Sequence, residues 1–277
     1  MLAMIGQIFS RMRQSGNATM NSRQIPVARS DGIDRPVLAF GTDYPDGTLL
    51  SWHCHVRAQL LYAAVGTMRV DTENGTWIVP PQQAVWIPAG HPHQVLMQRA
   101  STRSVYVDPP VAPRSGQFCE VLQVTPLLRQ LLIEAVEASA DYKAGERDGA
   151  LFELLLHEIG RAAALPLHVP LPASPALLEL CRRFLHAPDI RITADDWARG
   201  LAMSRRSLNR LFLRETGTTL LHWRQRACVL AALSRLADGT PVTVVALDQG
   251  YESPAAFTTM FKRILDRPPS AFMRHRV

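Results

Sequence analysis

The hydrophobic pattern of this 277-residue chain changes its period near residue 110, and this change most constrains the fold. Before it, residues 25–108 form short runs rich in Val, Ile, Tyr and Trp, separated by Gly, Pro, Asn and Asp. Such runs are typical of closely spaced β-strands, and the dipeptide Asn74-Gly75 strongly favours a hairpin between two of them. We therefore expect a small all-β barrel or sandwich in this region.

After residue 113 the apolar residues recur at the helical period instead. Segments 125–142 and 147–164 each carry a leucine-rich stripe, which predicts two amphipathic helices. Their apolar faces can cover the barrel or pair with a second copy of the chain, and we favour a homodimer. Residues 166–175 contain four prolines and predict an extended linker. The expected organisation is a disordered tail at 1–24, a β domain at 25–113, a helical dimerisation or packing segment at 114–165, a linker at 166–175 and an all-helical domain at 176–277.

The positive charge of the chain is confined to its C-terminal part. From Ser174 onward, 16 Lys and Arg stand against 9 Asp and Glu, a surplus of +7 in a chain whose total net charge is +6. A surplus confined to one domain indicates a polyanionic partner, for which double-stranded DNA is the candidate. No apolar run reaches the ~18 residues of a membrane span, so we expect no membrane association. The four cysteines form no CxxC pair, which favours a reducing cytoplasm.

The basic domain contains two stretches with the same order: short helix, tight turn, capped second helix. In the first stretch, Thr193 is the predicted N-cap with Asp196 completing a capping box, and Ser204 caps the second helix. In the second stretch, Thr240 is the predicted first N-cap and Ser253 caps the last helix. This order predicts two helix-turn-helix units.

The second helix of the first unit has an apolar face and an opposite face suited to reading bases. Arginine can bind guanine in a bidentate manner, and asparagine can bind adenine in the same way. The residues predicted to contact DNA from this helix are Arg205, Arg206, Asn209, Arg210 and Arg214.

The corresponding helix of the second unit presents smaller side chains. Alanine and threonine can contact thymine methyl groups, and a helix N-terminus can hold a phosphate. We expect this unit to position the protein while the first supplies most of the sequence discrimination. Its predicted DNA contacts are Ser253, Pro254, Ala255, Thr258, Thr259, Lys262 and Arg263.

Residues 174–277 resemble the DNA-binding domain of the AraC/XylS family of bacterial transcription regulators. The resemblance is carried by "AMSRRSLNRLFLRETG" and "VALDQGYESPAAFTTMFKRILDRPPSAFMR". It implies two helix-turn-helix units that each place one helix in a major groove of double-stranded DNA, and RNA polymerase is a further candidate partner. The sequence departs from the family at Ala202 and Asp266, where glycine is common.

The stretches "GTLLSWHCHVRAQLLYAAVG" and "PAGHPH" resemble the two cupin motifs in their spacing. In cupin enzymes the equivalent positions hold one metal ion inside a β-barrel. The resemblance therefore implies a pocket for a small effector or a divalent metal. Because a neutral glutamine replaces the usual glutamate, three interpretations stay open: a metal site, a polar effector pocket without a tightly held metal, and a hydrogen-bonded pocket floor. The pocket residues are His53, His55, Gln59 and His93.

These features predict an α+β two-domain protein, with an N-terminal cupin-like β-barrel followed by helices and a C-terminal all-α domain with two helix-turn-helix units. The sequence contains no P-loop, GxSxG or GxGxxG, so we expect a regulator without catalytic residues. Stretches 53–66 and 79–93 resemble a subgroup whose members often control an adjacent exporter gene, which suits a metal or a toxic compound as effector. The alternative is a metal-dependent cupin enzyme, a dioxygenase or isomerase, with an attached DNA-binding domain.

Overall fold

The β-rich part of the chain forms one antiparallel sheet of nine strands within residues 33–273, the residues that the computed structural model describes. The predicted tail at 1–24 lies outside this range. The strands are β1 Val37–Asp43, β2 Leu49–His53, β3 Ala58–Thr72, β4 Gly75–Val79, β5 Gln83–Ile87, β6 His93–Val107, β7 Glu120–Gln123, β8 Ala164–Leu165 and β9 His168–Pro170.

The two long strands β3 and β6 pair with each other and divide the sheet into two halves. The first half of β3 pairs with β5, and its second half pairs with β4. In the same way, the start of β6 pairs with β2 and its end pairs with β1. The register of β3 against β6 shifts around Val65, beside Gly66, whose φ is +75°. Such bulges bend strands, so the sheet folds over itself as the cupin-like barrel predicted from the sequence.

Two helices cover one half of this sheet. Helix α1 spans Pro126–Glu137 and helix α2 spans Arg147–Arg161. Their buried residues, which include Leu128 and Leu155, form one apolar cluster with Leu60 and Val105 of the strands. The predicted leucine stripes are therefore used for packing on the sheet.

The proline-rich segment 166–175 is extended and takes part in the sheet. Within it, β9 pairs with β4 through the partners His168 with Trp77 and Pro170 with Gly75. Proline lacks an N–H group and is tolerated at a sheet edge, which is where β9 lies. This segment therefore leads from the sheet directly into the helical domain.

The C-terminal domain contains six helices within the described residues, and they form two helix-turn-helix units joined by a long helix. The first unit is α4 and α5, the second is α7 and α8, and α6 connects them. No helix in residues 33–273 combines the length and apolar character needed to cross a membrane. The helices are α3 Pro175–His186, α4 Ala194–Gly200, α5 Arg205–Thr216, α6 Leu220–Ala237, α7 Val242–Asp248 and α8 Pro254–Leu265.

The predicted caps were correct at three of four positions. Thr193 and Asp196 form a full capping box on α4, and Ser204 and Ser253 cap α5 and α8 through backbone N–H groups. The prediction for Thr240 was wrong, because α7 begins one residue later with Pro241 at its N-cap. The N–H of Thr240 donates instead to the carbonyl of Arg235, at the end of α6, at 2.9 Å.

Both positions where glycine is common in the family have left-handed backbone here. Ala202 in the turn between α4 and α5 has φ +51°, and Asp266 after α8 has φ +53°. Residues with a Cβ atom pay for this conformation, although aspartate adopts it more readily than most. The turn between α4 and α5 therefore keeps its left-handed residue although Ala202 carries a Cβ atom.

The sheet and the helical domain share one apolar cluster that includes Met68, Val70, Leu177 and Leu230. Two polar contacts add to it. The indole N–H of Trp223 on α6 donates to the carbonyl of Pro170 at 2.7 Å. Arg99 on β6 forms an ion pair with Asp238 at the end of α6.

We predict that Gly66→Ala destabilises the protein much more than Gly47→Ala. Both glycines have φ +75°, but a Cβ at position 66 would lie 2.2 Å from the carbonyl oxygen of Arg99, whereas nothing lies within 4 Å of one at position 47. The left-handed backbone costs about 1–2 kcal/mol in both variants. The steric clash adds about 1–3 kcal/mol in Gly66→Ala alone. Urea denaturation followed by circular dichroism measures both losses, and equal losses would contradict the predicted bend.

Candidate nucleic-acid interface and histidine pocket

The second helix of the first unit, α5, has the two faces that the sequence predicts. Leu208 and Phe212 are fully buried on its inner face. Phe212 belongs to a cluster of rings with Phe184, Trp197 and Trp223. The centroids of neighbouring rings in this cluster lie 5.8 to 6.3 Å apart. This cluster fixes α5 against α3, α4 and α6. The side chains that remain exposed on its outer face are those of Arg205, Arg206, Asn209, Arg210, Leu213 and Arg214.

The polar residues of α5 differ in whether they are already paired. Arg205 lies 3.5 Å from the carboxylate of Asp195, and Arg214 lies 3.7 Å from that of Glu215. Both guanidiniums are exposed, and ion pairs at this distance with an exposed arginine are weak. Within residues 33–273, the side chains of Arg206, Asn209 and Arg210 have no hydrogen-bond or ion-pair partner.

The corresponding helix α8 offers fewer free polar groups. Ala255, Thr259 and Lys262 are exposed, whereas Pro254 and Thr258 are half-buried. Two further predicted contacts already have partners: the hydroxyl of Ser253 caps the helix by accepting from Ala256, and Arg263 donates to the amide oxygen of Gln225 at 2.8 Å. Phe257 and Phe261 are fully buried, as predicted.

A buried polar network, which the sequence pattern did not reveal, joins the second unit to α6. The guanidinium of Arg224 donates to the carbonyl of Ile190 and lies 5.7 Å from the ring centre of Phe184. The N–H of Ile190 donates to the carbonyl of Gln249, whose side chain donates to the carbonyl of Cys228, each at 2.9 Å. Burial lowers the pKa of Arg224. This network fixes the end of α7 against α6.

In the N-terminal domain, three of the four predicted pocket residues converge directly. His53 ends β2 and His93 begins β6, and the two are partners across the strands. His55 lies in the loop after β2. The ring centroids lie 4.3 to 5.2 Å apart, and one nitrogen from each ring can be chosen so that all three nitrogens lie within 4.8 Å of one another. His55 and His93 are buried, and His53 is partly exposed.

Backbone carbonyls fix two of these rings. The Nδ1 of His53 lies 2.6 Å from the carbonyl of Ser51, and the Nδ1 of His93 lies 2.8 Å from the carbonyl of His91. Since a carbonyl only accepts, each Nδ1 carries the proton and each Nε2 keeps its lone pair. The Nε2 of His93 is buried and has no hydrogen-bond partner within the described residues.

The surroundings of His53 and His93 favour the neutral form of both rings. Burial lowers the pKa of His53. Burial first, and then the positive charge that His53 would carry, lower the pKa of His93 to about 3. A neutral imidazole with a free lone pair is the form that binds metals and accepts hydrogen bonds.

Gln59 contacts the histidines through His55. Its amide oxygen lies 3.1 Å from the Nε2 of His55, and its amide nitrogen donates to the hydroxyls of Tyr106 at 3.1 Å and Ser104 at 3.4 Å. Gln59 therefore orients His55. Tyr106 and Ser104 were not among the predicted pocket residues, although their spacing of two residues on one strand places both on the same face.

Comparison with known proteins matches both domains. Residues 36–155 match the model of the AraC-like ligand binding domain, and residues 197–275 match that of a helix-turn-helix domain. The transcriptional regulator NimR of Escherichia coli K12 is 32% identical over 223 residues, which are 80% of this chain and 81% of NimR. SoxS of the same strain is 36% identical over 90 residues, covering 32% of this chain and 83% of SoxS. The structure of ToxT from Vibrio cholerae aligns with 85% of this chain over 94% of the ToxT chain, at 12% identity and a TM-score of 0.35.

The fold and the two matched domains define a DNA-binding transcriptional regulator that responds to an effector. The chain belongs to the AraC family of these regulators.

We predict that alanine at Arg206 or Arg210 weakens operator binding and relaxes base preference, by about 1–3 kcal/mol for each lost bidentate contact. Alanine at Thr258 or Thr259 should instead weaken binding similarly for all sequences. Fluorescence anisotropy with single-base variants of the operator measures both effects. Arg129→Ala, on α1, is the control. If Thr258→Ala or Thr259→Ala relaxed base preference as much as Arg210→Ala, the division of work between the two units would be wrong.

Proposed function

We propose that this regulator reads its operator mainly through Arg206, Asn209 and Arg210. The observation that carries this proposal is that these side chains are exposed and unpaired, within the described residues, on the second helix of a helix-turn-helix unit. Arg205 and Arg214 would bind phosphates, because their guanidiniums are exposed at either end of α5 and held only by long ion pairs. Pro254, Ala255, Thr258, Thr259 and Lys262 of α8 would hold the second unit on the DNA, with Ser253 and Arg263 supporting α8 through their own contacts.

The histidine pocket is the proposed effector site, and a divalent transition metal is the effector that its donor set fits best. Three features support this choice: the three ring nitrogens lie close together, two rings are fixed by carbonyls, and the Nε2 of His93 is buried without a partner. His53, His55 and His93 would hold the ion, with Gln59 positioning His55. A bound ion would supply positive charge that draws these side chains together.

A polar organic effector is the second candidate for the same pocket. The hydrogen bonds of Gln59 to Tyr106 and Ser104 favour it, because these groups can exchange partners with a ligand that carries hydroxyl or amino groups. Such a ligand, or a toxic compound, would suit the regulation of an adjacent exporter gene, which the resemblance of stretches 53–66 and 79–93 supports.

The whole protein, in this proposal, acts on DNA in the cytoplasm as a homodimer and catalyses no reaction. Leu127 on α1 and Leu154 on α2 support the dimer, because they are 49% and 43% exposed, whereas Leu128, Leu131, Leu132 and Leu155 of the same helices are buried. RNA polymerase is the proposed partner on DNA. The alternative is a metal-dependent cupin dioxygenase or isomerase, and the observation that favours it is the same group of three histidines.

The experiment that tests the proposed function is genome-wide DNA occupancy of the full chain, with and without added Zn²⁺, Ni²⁺ or Co²⁺. We expect a few sequence-specific sites, one of them beside an exporter gene, whose occupancy changes with one metal. In vitro, binding to that site should weaken steeply as salt rises. Metal-dependent turnover of a small substrate, together with no specific occupancy, would favour the enzyme instead.

We predict that Gln59→Glu binds Co²⁺ about 10-fold more tightly than the unchanged protein, because a carboxylate strengthens the hydrogen bond to His55 and adds negative charge. His93→Ala should lose Co²⁺ binding. The visible absorption bands of Co²⁺ measure both affinities.

The control for this prediction is Gln98→Glu. This variant adds the same negative charge on β6, farther along the strand that begins at His93. If neither the unchanged protein nor Gln59→Glu bound Co²⁺, the metal would be excluded as effector and the polar organic ligand would remain. DNA binding would be unaffected by that outcome.

A further inference from the structure

A cleft of about 410 Å³ lies between the sheet and the helical domain, separate from the histidine pocket. Its sheet wall includes Trp52, Arg69 and Gln94, and its helical wall includes Arg182 and Leu230. A second opening of about 640 Å³ adjoins it and shares Arg69 and Leu230 as lining residues. Sites for small molecules in proteins usually measure about 300–1,000 Å³.

The charges on the two walls of this cleft are not balanced. On the sheet wall, the carboxylate of Asp71 accepts hydrogen bonds from Arg69 at 3.1 Å, from Thr76 at 2.9 Å and from Gln94 at 3.2 Å. The negative charge on this wall is therefore already compensated. On the opposite wall, Arg182 has no hydrogen-bond or ion-pair partner among residues 33–273. The charged side chain that remains for pairing with a ligand is therefore the guanidinium of Arg182.

The cleft also offers apolar contact beside this charge. Trp52, which lines the cleft, is 40% exposed, although large aromatic side chains are usually covered. Ile78, Leu185 and Leu230 line the same space. A ligand that fits these walls therefore has one anionic group and an apolar body.

We propose that this cleft is a second small-molecule site, which binds an organic anion with an aromatic body. The carboxylate or sulfonate of the ligand pairs with Arg182, and its rings lie against Trp52. Because the ligand contacts both domains, it stabilises the arrangement in which they pack together.

The position of this site also connects it to the histidine pocket. Trp52 and Gln94 are adjacent in the chain to His53 and His93, and neighbouring residues of a strand face opposite sides of a sheet. The same two strands, β2 and β6, thus carry one wall of each site.

The test uses the full chain and the fluorescent aromatic sulfonate 1-anilinonaphthalene-8-sulfonate as probe. We expect saturable binding, with a Kd that rises about fivefold or more in Arg182→Gln, because this variant removes the charge and nearly keeps the length. Arg183→Gln is the matched control, since Arg183 is adjacent, exposed and absent from the walls of the cleft. The neutral analogue N-phenyl-1-naphthylamine should bind Arg182→Gln as it binds the unchanged chain.

Equal effects of Arg182→Gln and Arg183→Gln on the sulfonate, or the absence of saturable binding, would overturn the proposal. The proposal would also be overturned if Arg182→Gln lost as much affinity for the neutral analogue as for the sulfonate, because the anionic group would then not contribute to binding. His93→Ala separates this site from the proposed effector pocket: it should abolish Co²⁺ binding and still bind the sulfonate. A failure of the histidine pocket would therefore leave the result for the cleft intact.

Discussion

The antiparallel pairing of β3 with β6 is the interaction on which the rest of the N-terminal domain depends. These two strands are 15 residues each. Strands β1, β2, β4 and β5 pair directly with them, and β7, β8 and β9 join the sheet through β5 and β4. Their pairing places Gln59 opposite Tyr106, and these residues are joined by a hydrogen bond. The bend beside Gly66 allows both faces of the sheet to be covered, one by α1 and α2 and the other by the helical domain.

The helical domain is attached to this sheet through α6. This helix carries Trp223, which belongs to the ring cluster behind α5 and also donates to Pro170 in β9. A movement of β9 or β4 would therefore act on the same side chain that supports the DNA-reading helix. Helix α6 thus contacts both β9 of the sheet and the ring cluster that supports α5. The buried Arg224 extends the same support to the second unit.

The two candidate sites differ in the kind of interaction they offer. The histidine pocket is mostly buried and offers imidazole lone pairs, because the Nδ1 of His53 and that of His93 are held by carbonyl partners. The cleft is open and contains one uncompensated guanidinium beside a tryptophan. An ion suits the first environment and an amphipathic anion suits the second, so the two sites need not compete. A regulator with both could combine two chemical signals in one change of domain packing.

The sequence by itself determined the features that depend on neighbouring residues in the chain. The helical and strand periods, three of four caps and the outward face of α5 all follow from local pattern, because side-chain direction repeats every 3.6 or 2 residues. Only the tertiary structure decided which distant residues meet. It placed β9 in the sheet, joined Arg263 to Gln225, made Gln59 a partner of His55, and brought Trp52 and Arg182 to one cleft. These contacts depend on strand register and domain packing, which many residues far apart in the chain set together, and no short motif encodes them.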